Sequence, residues 1–144
     1  AVVETRRRHP LATTADLVSV VLRAVPAAAR HGRLHMATRT FQALRIAVNR
    51  EFESLEQGIA GALRLLSPGG RLAVVTYHSG EDRIVKHRFR EADRRQFRAL
   101  TVKPLTPSSR ERQENPRSRS AKLRILEHTS THDTTTPRRD FFPA

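Results

Sequence analysis

Between Thr38 and Leu66, apolar side chains return at helical spacing: Phe41, Leu44, Val48, Phe52, Leu55, Ile59, Leu63 and Leu66. At 100° per residue, all eight lie within roughly 40° to 60° of one direction. This periodicity predicts one long amphipathic helix, with Gly58 and Gly61 as the places for a kink. Ser67-Pro68-Gly69-Gly70 stops the pattern and turns the chain. Immediately afterwards, Leu72, Ala73, Val74 and Val75 form an unbroken apolar run within Arg71 to Tyr77. A run without alternation fits a strand buried on both faces, as in a parallel sheet. A helix handing over to such a strand predicts an α/β fold.

The segments on either side extend that reading. Residues 1–13 are a basic lead-in with Arg6, Arg7, Arg8 and His9 before Pro10. Thr14 is the expected N-cap of a helix carrying Leu17, Val18, Val21, Leu22 and Val25, which Pro26 ends. A basic loop covers 30–36. Beyond the strand, residues 81–97 return to helical spacing through Ile84, Val85, Phe89 and Phe97. "RALTVKPL" (98–105) reads as a second strand, "SSRERQENPRSRS" (108–120) as a loop, and "AKLRILEH" (121–128) as an edge strand. The Thr- and Pro-rich stretch 129–144 reads as a disordered tail. Strand, helix, strand, loop, strand is the closing half of a doubly wound sheet. Three strands cannot cover both faces of such a sheet, so its opening strands are expected from elsewhere.

Charge narrows the partner. The chain has 27 Lys plus Arg against 14 Asp plus Glu, a formal net charge of +13 carried mainly by arginine. Guanidinium suits bidentate phosphate binding, so RNA or DNA heads the expected partners; the plainer reading is a basic surface that aids solubility. Hydrophobic residues make up 38% and aromatics only 5%, which implies a thin core or a missing partner. There is no cysteine, excluding disulfides and thiolate metal sites. No apolar run approaches the ~20 residues of a membrane span, and a cytoplasmic location is expected. The sequence starts at Ala1 rather than Met, as expected of a processed chain or a piece of a longer one.

The helix from Thr38 carries a second pattern. Thr38, Gln42, Arg45 and Asn49 fall at i, i+4, i+7 and i+11 and share one polar stripe beside the apolar face. Such a line of hydroxyl, amide and guanidinium groups reads a polar ligand or braces a loop, and internal hydrogen bonding is the commoner use. Arg39 points further round. With Arg30, Arg33, Arg45 and Arg50 it makes a possible phosphate-facing patch, or a solvated basic face.

Three blocks, "ATRTFQALRIAVNREFESLEQ" (37–57), "LLSPGGRLAVVTYHSGEDRIVKHRFR" (65–90) and "ENPRSRSAKLRILEH" (114–128), occur in one order. Together they closely resemble the C-terminal half of the RsmH (MraW) family, the bacterial 16S rRNA (cytosine-N4)-methyltransferases that use S-adenosylmethionine. "TTADL" near the start is also similar to the family. Two departures stand out. Met36 takes the place of a usual proline, and Thr76 to Arg83 replace the usual Ser-Phe-His-Ser-Leu-Glu-Asp-Arg, so that Gly80 is expected to loosen the turn. The family's glycine-rich cofactor loop, ribose-binding acidic residue and Asp-rich strand end lie upstream in the family, and no Gly-x-Gly occurs in this sequence.

The resemblance implies the C-terminal part of a doubly wound class I (Rossmann-like) methyltransferase sheet, preceded by part of a helical insertion. Residues 1–36 are the expected remainder of the insertion and 37–128 the long helix with the last strands. The implied reaction moves a methyl group from S-adenosylmethionine to N4 of a cytidine in small-subunit 16S rRNA, with the cofactor site outside this sequence and the piece inactive alone. His78 and Ser79, following the strand, are the candidate catalytic residues. His78 hydrogen-bonds the base or takes up a proton, or closes the strand. Ser79 positions the base or caps the next helix, with Glu81 and Asp82 supporting its first turn. Asp82 and Arg83 form an alternative pair holding that turn. Thr38, Arg39, Gln42, Arg45 and Asn49 are expected to line the RNA side or brace an active-site loop. Arg83, Arg117, Arg119 and Lys122 are candidate RNA contacts. Two other readings compete: a non-catalytic RNA-binding module, and a subunit complementing a separate N-terminal half.

Overall fold

A computed structural model describes residues 1–30, 35–92 and 94–129. The part of the basic loop at 31–34, including Arg33, and the tail from residue 130 lie outside the described residues. The chain divides into two compact units, with the boundary in the sequence between Glu51 and Phe52.

The first unit is helical. The basic lead-in forms α1 (Val2–Arg8), where Glu4 sits one turn before Arg8 and pairs with it at 2.8 Å. α2 (Thr14–Ala24) starts one residue earlier than its sequence suggests, because Thr13, not Thr14, is the N-cap. The Thr13 hydroxyl accepts from the Asp16 N–H, and the Asp16 carboxylate accepts from the Thr13 N–H, which closes a capping box. α3 (Ala37–Asn49) packs against α2, which buries Val20, Val21 and Ala37. The long helix expected from 38 to 66 breaks at Arg50, not at either glycine. Arg50 adopts a left-handed conformation with φ 51°, and α4 (Glu51–Leu65) begins behind it. Gly58 and Gly61 lie inside α4, where unbroken helix tolerates them at modest cost. The break also splits the apolar face: Leu44 and Val48 on α3 are exposed, whereas Leu55, Ile59 and Leu63 on α4 reach the core.

The second unit is a small sheet covered by helices. After a turn at Gly69 (φ 80°) come β1 (Arg71–Thr76), α5 (Ser79–Glu91), β2 (Phe97–Ala99), α6 (Ser109–Glu114), a 3-10 segment over Pro116–Ser120, and β3 (Lys122–His128). The helical pattern at 81–97 therefore ends at Glu91, and Phe97 belongs to a strand. The stretch at 108–120 is helical rather than loop, started by a Ser108 hydroxyl that accepts from the Glu111 N–H. The strand order is β1-β3-β2, with β3 antiparallel to both neighbours. The segment expected at an edge is thus the middle strand. β1 and β2 run parallel to one another, with α5 as the crossover between them.

The alternation of "AKLRILEH" explains why β3 can be central. Leu126 is only 1% exposed and packs with Ile59 of α4 and Val85 and Phe89 of α5. Lys122 and Arg124 share its face in a strand of period two, and both are neutralised there. On β1, Leu72 and Val74 pack against the core while Val75 is 51% exposed. The expectation of a strand buried on both faces is corrected to one covered face among the described residues. Glu127 bridges β1 and β2 from β3, accepting from Arg71 Nε at 3.0 Å and Arg98 Nη2 at 2.8 Å. Thr129, the first residue of the expected tail, donates its N–H to the Gln96 carbonyl. No helix among the described residues is long and apolar enough to cross a membrane.

Candidate functional site

β1 ends at Thr76, and the next residues turn directly into α5. His78 is the N-cap of that helix: its backbone is extended, and its ring Nδ1 accepts from the Glu81 N–H at 3.3 Å. Glu81 reciprocates, accepting from the N–H groups of His78 and Tyr77 at 3.3 and 2.8 Å. Imidazole thus fills the role usually taken by Ser, Thr, Asp or Asn. An accepting Nδ1 leaves the proton of the neutral ring on Nε2. Nε2 lies 3.2 Å from Glu81 Oε1 but is not aligned for a hydrogen bond, and it is buried. The Phe52 ring stands 6.0 Å away, tilted by 49°. The ring is therefore committed to the helix start rather than displayed to solvent.

Ser79 is exposed at the first helical position and does not cap the helix. Gly80 follows within the helix, so the turn is not loosened. A Cβ at this position would stand 2.7 Å from Phe52 Cζ and 3.2 Å from His78 Nδ1. The bare glycine lets the Phe52 ring lie directly on the helix start.

Asp82 is held by β3 and not by Arg83. Its Oδ1 accepts from Arg124 Nε at 2.7 Å and its Oδ2 from Lys122 Nζ at 3.1 Å. The Arg124 hydrogen bond, reinforced by Lys122, holds the Asp82 carboxyl below its usual range despite the opposing effect of burial. Arg83 points outward and is exposed. Lys122, a candidate RNA contact, is thereby occupied within the fold. Arg117 and Arg119 lie exposed on the 3-10 segment before β3. Arg124 was not singled out by the sequence. The available signal was two cations on the same strand face as Leu126, a placement that requires a carboxylate opposite.

The polar stripe belongs to the first unit and divides into two parts. Thr38, Gln42 and Arg45 line an open groove of about 550 Å³ together with Val18, His35 and Phe41. Arg45 and Asn49, lower on the stripe, reach Glu51: Arg45 Nε and Nη2 donate at 2.8 and 3.2 Å, and Asn49 Nδ2 at 3.3 Å. That carboxylate, first in α4, ties the end of α3 across the break at Arg50. Arg39 is exposed and does not line the groove.

The ordered motifs find their counterpart in the known families. Residues 1–129 match the family model described as the MraW methylase family. The chain belongs to that family. Curated relatives agree. A protein of Synechococcus sp. (strain JA-2-3B'a(2-13)), named ribosomal RNA small subunit methyltransferase H, is 62% identical over 122 residues, covering 85% of this chain and 38% of the relative. Proteins of the same name from Synechocystis sp. (strain ATCC 27184 / PCC 6803 / Kazusa) and Persephonella marina (strain DSM 14350 / EX-H1) are 52% and 48% identical, covering 83% and 87% of this chain. The aligned part spans 39% and 43% of those two proteins. The chain thus spans less than half the length of these MraW-family relatives.

Proposed function

We propose that this chain is the RNA-facing, C-terminal part of an enzyme that transfers a methyl group from S-adenosylmethionine to N4 of a cytidine in 16S rRNA. The observation that carries the proposal is the family match over residues 1–129, with relatives named as small-subunit rRNA methyltransferases. The sheet supports it: β1 and β2 run parallel through the α5 crossover, a unit from which a doubly wound sheet is built. In this reading, the first helices belong to an insertion and the three strands close the sheet.

The described residues do not fit S-adenosylmethionine itself. Doubly wound folds hold such cofactors with a glycine-rich turn and an acidic group on the ribose. The groove beside α3 offers Thr38, Gln42, Arg45 and His35 but no carboxylate. The donor site is therefore assigned to the remainder of the enzyme, and this chain to the acceptor side.

The cytidine amine is a weak nucleophile because its lone pair is delocalised into the ring. Holding the unstacked base in line and accepting hydrogen bonds from the amine lower the barrier. The end of β1 is where this chain meets such a base. The exposed Ser79 hydroxyl is the group that touches it, while His78, bound into the cap, positions the turn. Thr38, Gln42 and Arg39 stand as RNA-facing groups, and Arg45 with Asn49 braces the helix break.

The test combines this chain with the N-terminal part of the Synechococcus relative, small-subunit rRNA and S-adenosylmethionine. Nucleoside mass spectrometry is expected to find N4-methylcytidine with both parts and none with this chain alone. A different methylated nucleoside overturns the assigned position. Tight S-adenosylmethionine binding by this chain alone overturns the division of labour.

A further inference from the structure

The outward face of α5 carries a row of three cations with a histidine among them. At 100° per residue, Arg83, Lys86, His87 and Arg90 fall within an arc of roughly 100°, turned away from the buried Val85 and Phe89. All four are exposed. The acidic residues of this helix are occupied elsewhere: Glu81 in the cap, Asp82 on Arg124 and Lys122, Glu91 on Arg88. Several other cations of this unit sit against carboxylates, Arg71 and Arg98 on Glu127 and Arg88 on Glu56. Among the described residues, no carboxylate pairs with Arg83, Lys86 or Arg90.

Such a row costs the helix stability, because like charges three and four residues apart repel. It buries no apolar surface in return, and an anionic partner offsets that repulsion. We propose that this face of α5 is a binding surface for the phosphate backbone of RNA, resting on the reading of RNA as the substrate. The row from Arg83 to Arg90 spans about 10 Å at 1.5 Å per residue, comparable with the axial rise of three nucleotides. Two arginines favour bidentate contact with phosphate oxygens. The row itself contains no apolar side chain to insert into a bilayer or to seat on a protein, which argues against a membrane or protein face.

The test measures binding of a short fluorescent RNA hairpin to the 144-residue chain across a salt series. The triple variant Arg83→Gln, Lys86→Gln, Arg90→Gln is expected to lower the slope of log K against log salt by about 2 to 3 and weaken low-salt binding about tenfold or more. The charge-preserving pair Arg83→Lys, Arg90→Lys keeps the slope, and circular dichroism checks the fold of both. If the parent binds RNA and the Gln variant, natively folded, binds with the same slope, this surface is wrong while the RNA reading stands. If the parent shows no salt-dependent RNA binding, both fall. Equal loss of slope in the Lys pair overturns the assignment by tracing the effect to fold rather than charge. Binding of the parent to phosphatidylserine vesicles in place of RNA overturns it in favour of a membrane.

Discussion

Asp82 Oδ1 and Arg124 Nε lie 2.7 Å apart, joining the first turn of α5 to the middle strand of the sheet. Their side chains are 13% and 8% exposed, so the pair is largely shielded from solvent. Lys122 Nζ, 3.1 Å from the other carboxylate oxygen, completes the contact. His78, Ser79 and Gly80 occupy the chain between β1 and this anchor. Their position over the sheet therefore depends on this pair, and the Asp82 N–H also donates to the His78 carbonyl at 3.2 Å.

Replacing Asp82 by Asn keeps the shape and removes the charge. Arg124 is then left buried without its counter-ion, which costs more than the pair contributes by existing. Asp82→Asn is expected to destabilise the chain by about 2–4 kcal/mol, read as a lower urea midpoint. Arg124→Met with Asp82→Leu should recover much of that loss, because a matched apolar pair carries no desolvation penalty. An Asn variant as stable as the parent would show that the pair is solvated in solution.

Acid should reveal the same contacts. Asp82 is held below its usual range first by Arg124, and Glu127 first by the Arg98 hydrogen bond and then by Arg71. A carboxyl whose folded pKa is depressed adds stability above its unfolded value, and that stability disappears as pH falls through the folded value. Stability is therefore expected to be level near neutrality and to fall from about pH 4 downward. Thermal unfolding in a pH series checks this. Glu127→Gln should be less stable at neutral pH and show a shallower acid loss, and identical acid profiles for variant and parent would refute the contribution.

The sequence allowed α2, the α3–α4 stretch and α5 to be anticipated because each leaves a local periodic trace, and β1 because its apolar run is bounded by turn residues, whereas α1 read only as a basic lead-in and α6 as loop. Arg50 shows where such reading ends. Eight apolar positions continue in phase across it, and only the left-handed φ of one arginine separates α3 from α4. Nothing in residue type marks that conformation, since glycine or asparagine is its usual occupant. The place of β3 was hidden for a different reason. Basic residues in a strand suggest an edge unless a distant carboxylate is known, and Asp82 lies 42 residues from Arg124. Around the candidate site, sequence pointed to His78 and Ser79 but offered the cap only to Ser79, as one of two roles, because a histidine cap is uncommon.

Gly80 and Phe52 should be energetically coupled. A methyl group at residue 80 would meet Phe52 Cζ at 2.7 Å, so the ring must move before alanine is accommodated. Alanine is favoured over glycine in a helix by up to about 1 kcal/mol, whereas overpacking costs about 1–3 kcal/mol. Gly80→Ala is thus expected to be destabilising by about 1 kcal/mol, and neutral or stabilising when combined with Phe52→Leu relative to Phe52→Leu alone. A double-mutant cycle in urea measures the coupling, expected at about 1 kcal/mol. Strict additivity would mean that the ring does not occupy this space.

Substitutions at His78 and Ser79 separate support from chemistry. His78→Ala removes the cap acceptor and should cost about 1 kcal/mol. His78→Asn restores an oxygen acceptor for the Glu81 N–H and should match or exceed the parent in stability. Ser79→Ala leaves the cap untouched, so its stability should stay within about 0.5 kcal/mol of the parent. Methyl transfer by the chain combined with the N-terminal part of a relative then assigns the roles. If His78 only positions the turn, the Asn variant retains kcat near the parent's, while Ser79→Ala loses about tenfold or more in kcat/KM because it touches the base. An Asn variant that is stable yet as impaired as Ser79→Ala would instead make the imidazole itself a participant. It would require the ring to leave the cap when RNA binds, since the cap occupies Nδ1 and burial against Glu81 shields Nε2.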